Sequence, residues 1–325
     1  MLNLTLKQLR YFEALTRHAH FGRAAEACAI SQPALSGQIR ELEETLGEAL
    51  FERGPRQVRI TGFGEEFALR VRDILRAVDE LEGLARASRE RLLGRLRIGV
   101  IPTVAPYLLP VLIRDLTREH SELDINVRET QTAKLIAELS EGRLDAAIVA
   151  LPVSQPSFEE VPLFREEFLL VRPREDEGKP APSVGALREM RLLLLEEGHC
   201  FRDQALAFCE MHAARPREVL DASSLSTLVQ MVGAGIGVTL IPEMALAVET
   251  RSAEVSVARF EAPSPSRTIG MIWRKTSPLS RQLLRVSEVV RAAATSLKAD
   301  ARFPQPAGTP ALSARPSKAP ARSSG

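Results

Sequence analysis

Two of the three cysteines in this 325-residue chain, Cys200 and Cys209, stand in one stretch, 196–210. Between them Phe201, Ala205, Leu206, Ala207 and Phe208 carry helical three-to-four spacing, uninterrupted by Pro or Gly. Gly198 ends the preceding element, and Leu192-Leu193-Leu194-Leu195 reads as a buried strand. Cys200 is therefore expected in the first turn of a helix that follows a strand. Unpaired backbone N–H groups there favour an anion. His199 and Arg202 flank the sulfur and add positive character. Such surroundings lower a thiol pKa and make a reactive thiolate.

The same helix sets a geometric condition. Nine residues of helix rise roughly 13 Å, whereas a disulfide needs Cα atoms about 4.4–6.8 Å apart. If Cys200 and Cys209 bridge, the helix must unwind. Bond and helix are then mutually exclusive states, which is what a redox switch requires. Two small buried hydrophobes, with no redox role, are the plainer alternative, and it stays open at this point.

Stepping out from the cysteines, the N-terminal third reads as helices and a hairpin. Leu6, Leu9, Phe12 and Leu15 give one helical face; Phe21–Cys28 gives a short, Ala-rich second helix. Ser31 reads as an N-cap to a third helix from Gln32 to Glu43, with Pro33 tolerated in its first turn. Two helices joined by a tight turn form a helix-turn-helix. Gln32, Ser36, Gln38 and Arg40 can read base edges or phosphates. Two short strands around Gly54-Pro55 make a wing carrying Arg53, Arg56 and Arg59. From Glu65 to about Leu93 runs one long helix. Its Phe67, Val71, Ile74, Val78, Leu81 and Ala85 form a heptad seam that implies a dimer. Gly94 breaks it and serves as a hinge.

The remainder alternates. Leu96–Val100, Asp124–Arg128 and Asp145–Leu151 read as strands, with helices at Tyr107–Leu116 and Lys134–Ser140 between them. This βαβαβ order predicts a parallel sheet with helices on both faces. A second α/β half follows at Val161–Arg172, Leu192–Leu195, Cys200–His212, Leu225–Gly233 and Ile236–Ile241. Thr268–Trp273 and Leu279–Leu297 then return to the first half. Residues 301–325 hold Ala, Pro, Ser, Lys and Arg but no acids, a composition that predicts a disordered basic tail. The fold class expected is α/β with an all-α winged helix-turn-helix N-terminal domain. Its boundaries are 1–62 for the DNA-binding domain, 63–93 for the dimerisation helix, 94–300 for a two-lobed effector domain and 301–325 for the tail.

Composition is that of an ordinary soluble protein: 45 % hydrophobic, 26 % charged, net charge +1. That balance points to no particular partner. Three cysteines fit a cytoplasmic protein rather than a disulfide framework. The N-terminus lacks the pattern of a secretory signal, and no apolar run approaches the ~20 residues of a membrane span.

Ala24-Ala25, Ser31-Gln32-Pro33-Ala34-Leu35-Ser36, Ile39, Leu42-Glu43, Leu46-Gly47, Leu50-Phe51-x-Arg53, Arg56 and Thr61-x-x-Gly64 resemble the signature of LysR-type transcriptional regulators. The two α/β halves resemble the periplasmic-binding-protein-like effector domain of that family. Ile101-Pro102-Thr103-Val104-x-Pro106-Tyr107, Glu129-x-Gln131-Thr132, Gly198-His199-Cys200-x-Arg202-Asp203-Gln204 and Arg267-Thr268-Ile269-Gly270 are similar to its hydrogen-peroxide-sensing members. By that resemblance Cys200 is the peroxide-reactive thiol and Cys209 resolves it as a disulfide. Thr103, Thr132 and His199 line the peroxide pocket, with Asp203 and Arg267 nearby. Val219 and Leu220 depart from the pattern, standing where the family has a histidine and an aromatic residue. The resemblance further implies promoter DNA, RNA polymerase and a reducing thiol system as partners. It also implies homodimers paired into a tetramer, a role as activator rather than enzyme, and no metal or cofactor. Two rivals remain: a regulator of the same family that binds a small carboxylate between the lobes, and a thiol peroxidase or plain binding protein.

Overall fold

The computed structural model describes residues 3–53, 58–87, 94–208 and 221–300. Arg56, Cys209, Val219, Leu220 and the 301–325 tail lie outside the described residues.

The N-terminal head is built from short-range signals. Helix α1 (Leu6–His18) starts on a capping box: Thr5 Oγ1 accepts from Gln8 N (3.2 Å) and Gln8 Oε1 from Thr5 N (3.1 Å). Helix α2 (Phe21–Ala27) is capped by His20, whose Nδ1 accepts from Gly22 N at 3.0 Å. Ser31 caps α3 (Gln32–Leu46), as expected, and Gly47 ends it with a left-handed φ of 72°. Leu35, Ile39 and Leu42 of α3 are buried against Leu9, Phe12, Leu15, Ala24 and Ala25. The wing is the antiparallel pair β1 (Phe51–Arg53) and β2 (Val58–Ile60). Glu43 of α3 locks it in place by accepting from Leu50 N (2.9 Å) and Phe51 N (3.2 Å). Thr61 then caps the long helix α4 (Gly62–Ala87) through Gly64 N. A Cβ on Gly64 would lie 2.3 Å from Leu50 O, which explains glycine there.

Helix α4 corrects the expected seam. Val71 is 1 % exposed and Phe67 half-buried in the head's own core, with Phe67 ringed by Phe12 and Phe63. Among its described side chains, the large apolar ones left exposed are Phe63, Leu69, Ile74 and Leu81; the side chain of Ala85 lies outside the described residues. The seam is one helix face, but its first turns are taken up by the head and only its later turns stand open, since a 3.5-residue repeat does not say which neighbour covers it.

The effector region comprises β3 (Gly94–Val100), α5 (Ala105–Glu119), β4 (Leu123–Glu129), α6 (Thr132–Ser140), β5 (Ala146–Leu151), β6 (Phe158–Pro173), α7 (Val184–Glu189), β7 (Leu194–Leu195), α8 (Cys200–Phe208), β8 (Asp221–Ala222), α9 (Leu225–Gly233), β9 (Thr239–Pro242), α10 (Leu246–Glu249), β10 (Val255–Arg259), β11 (Ser266–Arg274) and α11 (Ser280–Asp300). Strands β4, β3 and β5 are parallel, as expected. The sheet is nonetheless mixed: β11 joins β5 antiparallel and β6 joins β11 antiparallel. Strand β6 belongs to both lobes. Its first half, to Glu167, pairs with β11; from Phe168 onward it pairs with β9 and β10 in the second lobe. The sequence places this segment in the second half alone, because a run such as Phe168-Leu169-Leu170-Val171 shows burial but not partners.

Two apolar cores result, one around Ile98, Leu108, Ile148, Trp273 and Val290, the other around Phe168, Leu193, Phe201, Leu228 and Leu240. The lobes also meet through Tyr107 of α5, whose hydroxyl donates to Glu249 Oε1 of α10 at 2.6 Å. Helix α4 lies against the first lobe at the end of α6, through Arg72–Glu141 (3.7 Å) and Arg76 to Ser140 O (3.4 Å). Among the described residues, no helix is long and apolar enough to cross a membrane.

Candidate functional site

Cys200 heads α8, immediately after the turn that follows β7. It is half-buried and faces the first lobe's core, while Phe201 and Ala205 of the same helix are buried in the second lobe's core. The thiol thus sits on the seam between lobes. Gly198 makes this approach possible. Its φ is 93°, and a Cβ there would lie 2.7 Å from Gln131 Oε1. Gln131 in turn donates from Nε2 to Glu197 O (3.2 Å), tying the turn to the start of α6.

Cys200 closes a pocket with Ile101, Pro102, Thr103, Gln131, Thr132, Gly198, His199 and Phe201. These side chains close on one another and leave no room for a water-sized molecule between them in this arrangement. Thr103 is buried, and its Oγ1 accepts from Arg267 Nη1 at 2.8 Å; Arg267 Nη2 donates to Thr103 O at 3.1 Å. With its acceptor side used, the Thr103 hydroxyl proton is aimed elsewhere. Thr132 Oγ1 is buried and has no hydrogen-bond partner among the described residues. A buried orphan hydroxyl costs free energy unless something polar occupies the space before it.

Three expectations need correction. His199 is buried, 6 % exposed, and burial pushes its pKa below the ordinary histidine value, with Glu196 at 3.9 Å opposing only in part. It is a neutral imidazole at neutral pH, able to donate or accept but not a cation. Arg202 is occupied by Leu195 O (2.7 Å) and Asp221 Oδ1 (2.6 Å), so its charge is already compensated. Asp203 is exposed on α8 and does not line the pocket. The guanidinium that does reach the pocket is Arg267, through Thr103, lying 5.2 Å over the Phe201 ring. Sequence reasoning missed two polar neighbours: Gln131, and Glu166, which holds Arg267. Gln131 was legible from its place beside Thr132. Glu166 sits in the charged run Arg165-Glu166-Glu167 and gives no sign of burial.

On the head, Gln32, Pro33 and Arg40 are exposed and Ser36 half-buried on one face of α3. Gln38 falls on the opposite flank of the buried stripe, since successive helical residues turn by about 100°. It donates to Glu41 Oε2 at 2.8 Å. Ser31 is spent as the cap. Arg53 ends the first wing strand, and Arg59 stands exposed on the second, in register with Glu52.

Residues 6–65 match the family model described as bacterial regulatory helix-turn-helix protein, lysR family, and residues 89–295 match the LysR substrate binding domain. The chain is 44 % identical over 297 residues to a probable hydrogen peroxide-inducible genes activator of Streptomyces viridosporus, covering 90 % of this chain and 95 % of that one. Among solved structures, a full-length OxyR variant from Pseudomonas aeruginosa superposes with a TM-score of 0.72 at 36 % identity, covering 89 % of this chain and 98 % of that one. A hydrogen-peroxide-bound OxyR variant of Corynebacterium glutamicum gives 0.64 at 35 % identity, covering 91 % and 94 %. With both models matched in order and nearly the whole length shared, the chain belongs to the LysR family of bacterial helix-turn-helix regulators.

Proposed function

We propose that this regulator senses hydrogen peroxide at Cys200 and converts the oxidation into a change in how it holds promoter DNA. The observation that carries this reading is the pocket itself: a thiol at a lobe seam, beside the unpartnered Thr132 hydroxyl and a Thr103 hydroxyl oriented by Arg267. Two hydroxyls beside a thiol, with no cation exposed in the pocket, suit a small neutral molecule of two oxygens better than a carboxylate. The relatives whose names mention peroxide support the same chemistry.

The Cys200 thiolate attacks one peroxide oxygen, the O–O bond breaks, and the second oxygen leaves as hydroxide, giving a sulfenic acid. Thr103, Thr132 and neutral His199 hold the peroxide and donate to the departing oxygen. Arg267 acts on it through Thr103. Cys209 then displaces water from the sulfenate and forms the disulfide. Because α8 runs from Cys200 to Phe208, roughly 12 Å of helix, bridging to Cys209 requires its unwinding. That unwinding pulls Phe201 and Ala205 from the second core and shifts the lobes. Gln32, Ser36 and Arg40, with Arg53 and Arg56 of the wing, contact DNA. The protein works in the cytoplasm as a dimer of dimers joined through α4, recruits RNA polymerase, and is reset by a thiol reductant.

Mass mapping after a stoichiometric peroxide pulse tests the reading. A Cys200–Cys209 bond is expected in the wild type, a persistent or over-oxidised Cys200 in Cys209→Ser, and no induction in Cys200→Ser. Wild-type induction in Cys200→Ser eliminates it.

A further inference from the structure

Glu166 and Arg267 face each other across the β6–β11 ladder, at the point where β6 passes from the first lobe into the second. Both side chains are essentially sealed from solvent, at 1 % and 0 % exposure. Arg267 Nε and Nη2 reach Glu166 Oε1 at 2.8 and 2.7 Å. Its remaining nitrogen, Nη1, is directed at Thr103 Oγ1, and Nη2 also meets Thr103 O. The second carboxylate oxygen, Oε2, accepts from Met244 N (3.3 Å), in the short turn Glu243–Ala245 that follows β9. Glu166 therefore grips two things at once: the guanidinium on β11 and a backbone amide of the second lobe.

A guanidinium has five donors in a fixed planar fork. Once Glu166 takes one edge, the direction of Nη1 is set. A buried guanidinium without its carboxylate would swing towards other acceptors or admit water. We infer that Glu166 is a positioning residue for the peroxide reaction: it aims Arg267 at Thr103, so that the Thr103 hydroxyl keeps its proton pointed into the Cys200 pocket. This rests on the peroxide reading above. In the step concerned, sulfur is oxidised, the O–O bond breaks and hydroxide departs. Glu166 touches neither reactant; it holds the group that orients the hydroxyl donating to the leaving oxygen. Such orientation matters because a small misplacement of a donor costs rate steeply. Since Oε2 is anchored in the second lobe, a lobe shift after oxidation would also release the aim of Arg267.

The test compares two reagents on Cys200 in the full-length reduced protein. Hydrogen peroxide needs a donor for its leaving oxygen; iodoacetamide alkylates a thiolate without one. In Glu166→Gln the peroxide rate constant should fall about tenfold or more, with alkylation changed by less than about twofold. Glu166→Asp, which keeps the charge but shortens the reach, should fall between, and carries the test if the glutamine variant fails to fold. Folding is followed by the emission of Trp273, the only tryptophan, in the first lobe's core. Equal slowing of both reagents, or a peroxide rate matching the wild type in a folded variant, overturns the assignment of Glu166. A wild-type Cys200 that alkylates but ignores peroxide overturns the peroxide reading instead.

Discussion

The head and the thiol pocket solve the same problem of holding side chains in place at opposite ranges of sequence. In the head, each functional side chain is placed by neighbours close in the chain: Ser31 caps α3, Glu43 fixes the wing seven residues on, and Thr61 starts α4. In the pocket, Thr103, Thr132, Cys200 and Arg267 come from four separate segments. The Thr103–Arg267 bond closes a span of 164 residues. The head's arrangement therefore depends mainly on its own core, whereas the pocket is exposed to small changes at distant positions.

The largest effect expected contrasts two positions on α4. Val71→Asp buries an uncompensated charge in the head core and should cost about 3–5 kcal/mol, abolishing DNA binding. Leu81, 65 % exposed, takes the same change without unfolding, and Leu81→Asp should lower dimer content alone. Urea titration followed at Trp273 should show the effector lobes unperturbed by either. A shift of that transition by Val71→Asp would mean the head is not an independent core.

Next comes the pocket. Gly198→Ala forces a side chain into left-handed backbone and against Gln131, costing about 1–3 kcal/mol. Peroxide-driven bond formation should fail while reduced-state DNA binding persists, as gel shifts would show. Similar in size but confined to one base pair, Gln32→Ala should cost about 1–3 kcal/mol, while Arg53→Ala weakens all sequences alike and flattens the salt slope. Footprints unchanged by both substitutions would move the DNA surface elsewhere.

The smallest effect is in pH, and it separates pocket from lobe contact by sign. Burial lowers the His199 pKa, so the unfolded chain takes up a proton near its ordinary value of about 6.5 before the folded one does. That stability is present above this pH and lost as pH falls towards the folded value; His199→Gln should remove the slope. Burial, then the Glu249 hydrogen bond, raise the Tyr107 pKa. Its stability is present below about pH 10 and lost as pH rises beyond it; Tyr107→Phe should remove that loss. Melting curves across both windows check the signs.

Helix starts, the wing, the first three strands of the effector region and the place of Cys200 were all legible from caps, glycines and periodicity, because those signals act within a few residues; the strands β8 and β10 were not. The chain alone also marked Thr103, Thr132, His199 and Arg267 by resemblance. It did not reveal that β6 serves two lobes, since a buried strand reads the same whoever its partners are. Nor did it show that Val71 faces inward, that Arg202 is neutralised by Asp221, or that His199 is held neutral. Charge state and side-chain aim depend on burial and on partners far along the chain, and only the folded arrangement supplies both. Glu166 is the clearest case: a charged residue in a charged run becomes a sealed counter-ion solely because β11 lies beside it.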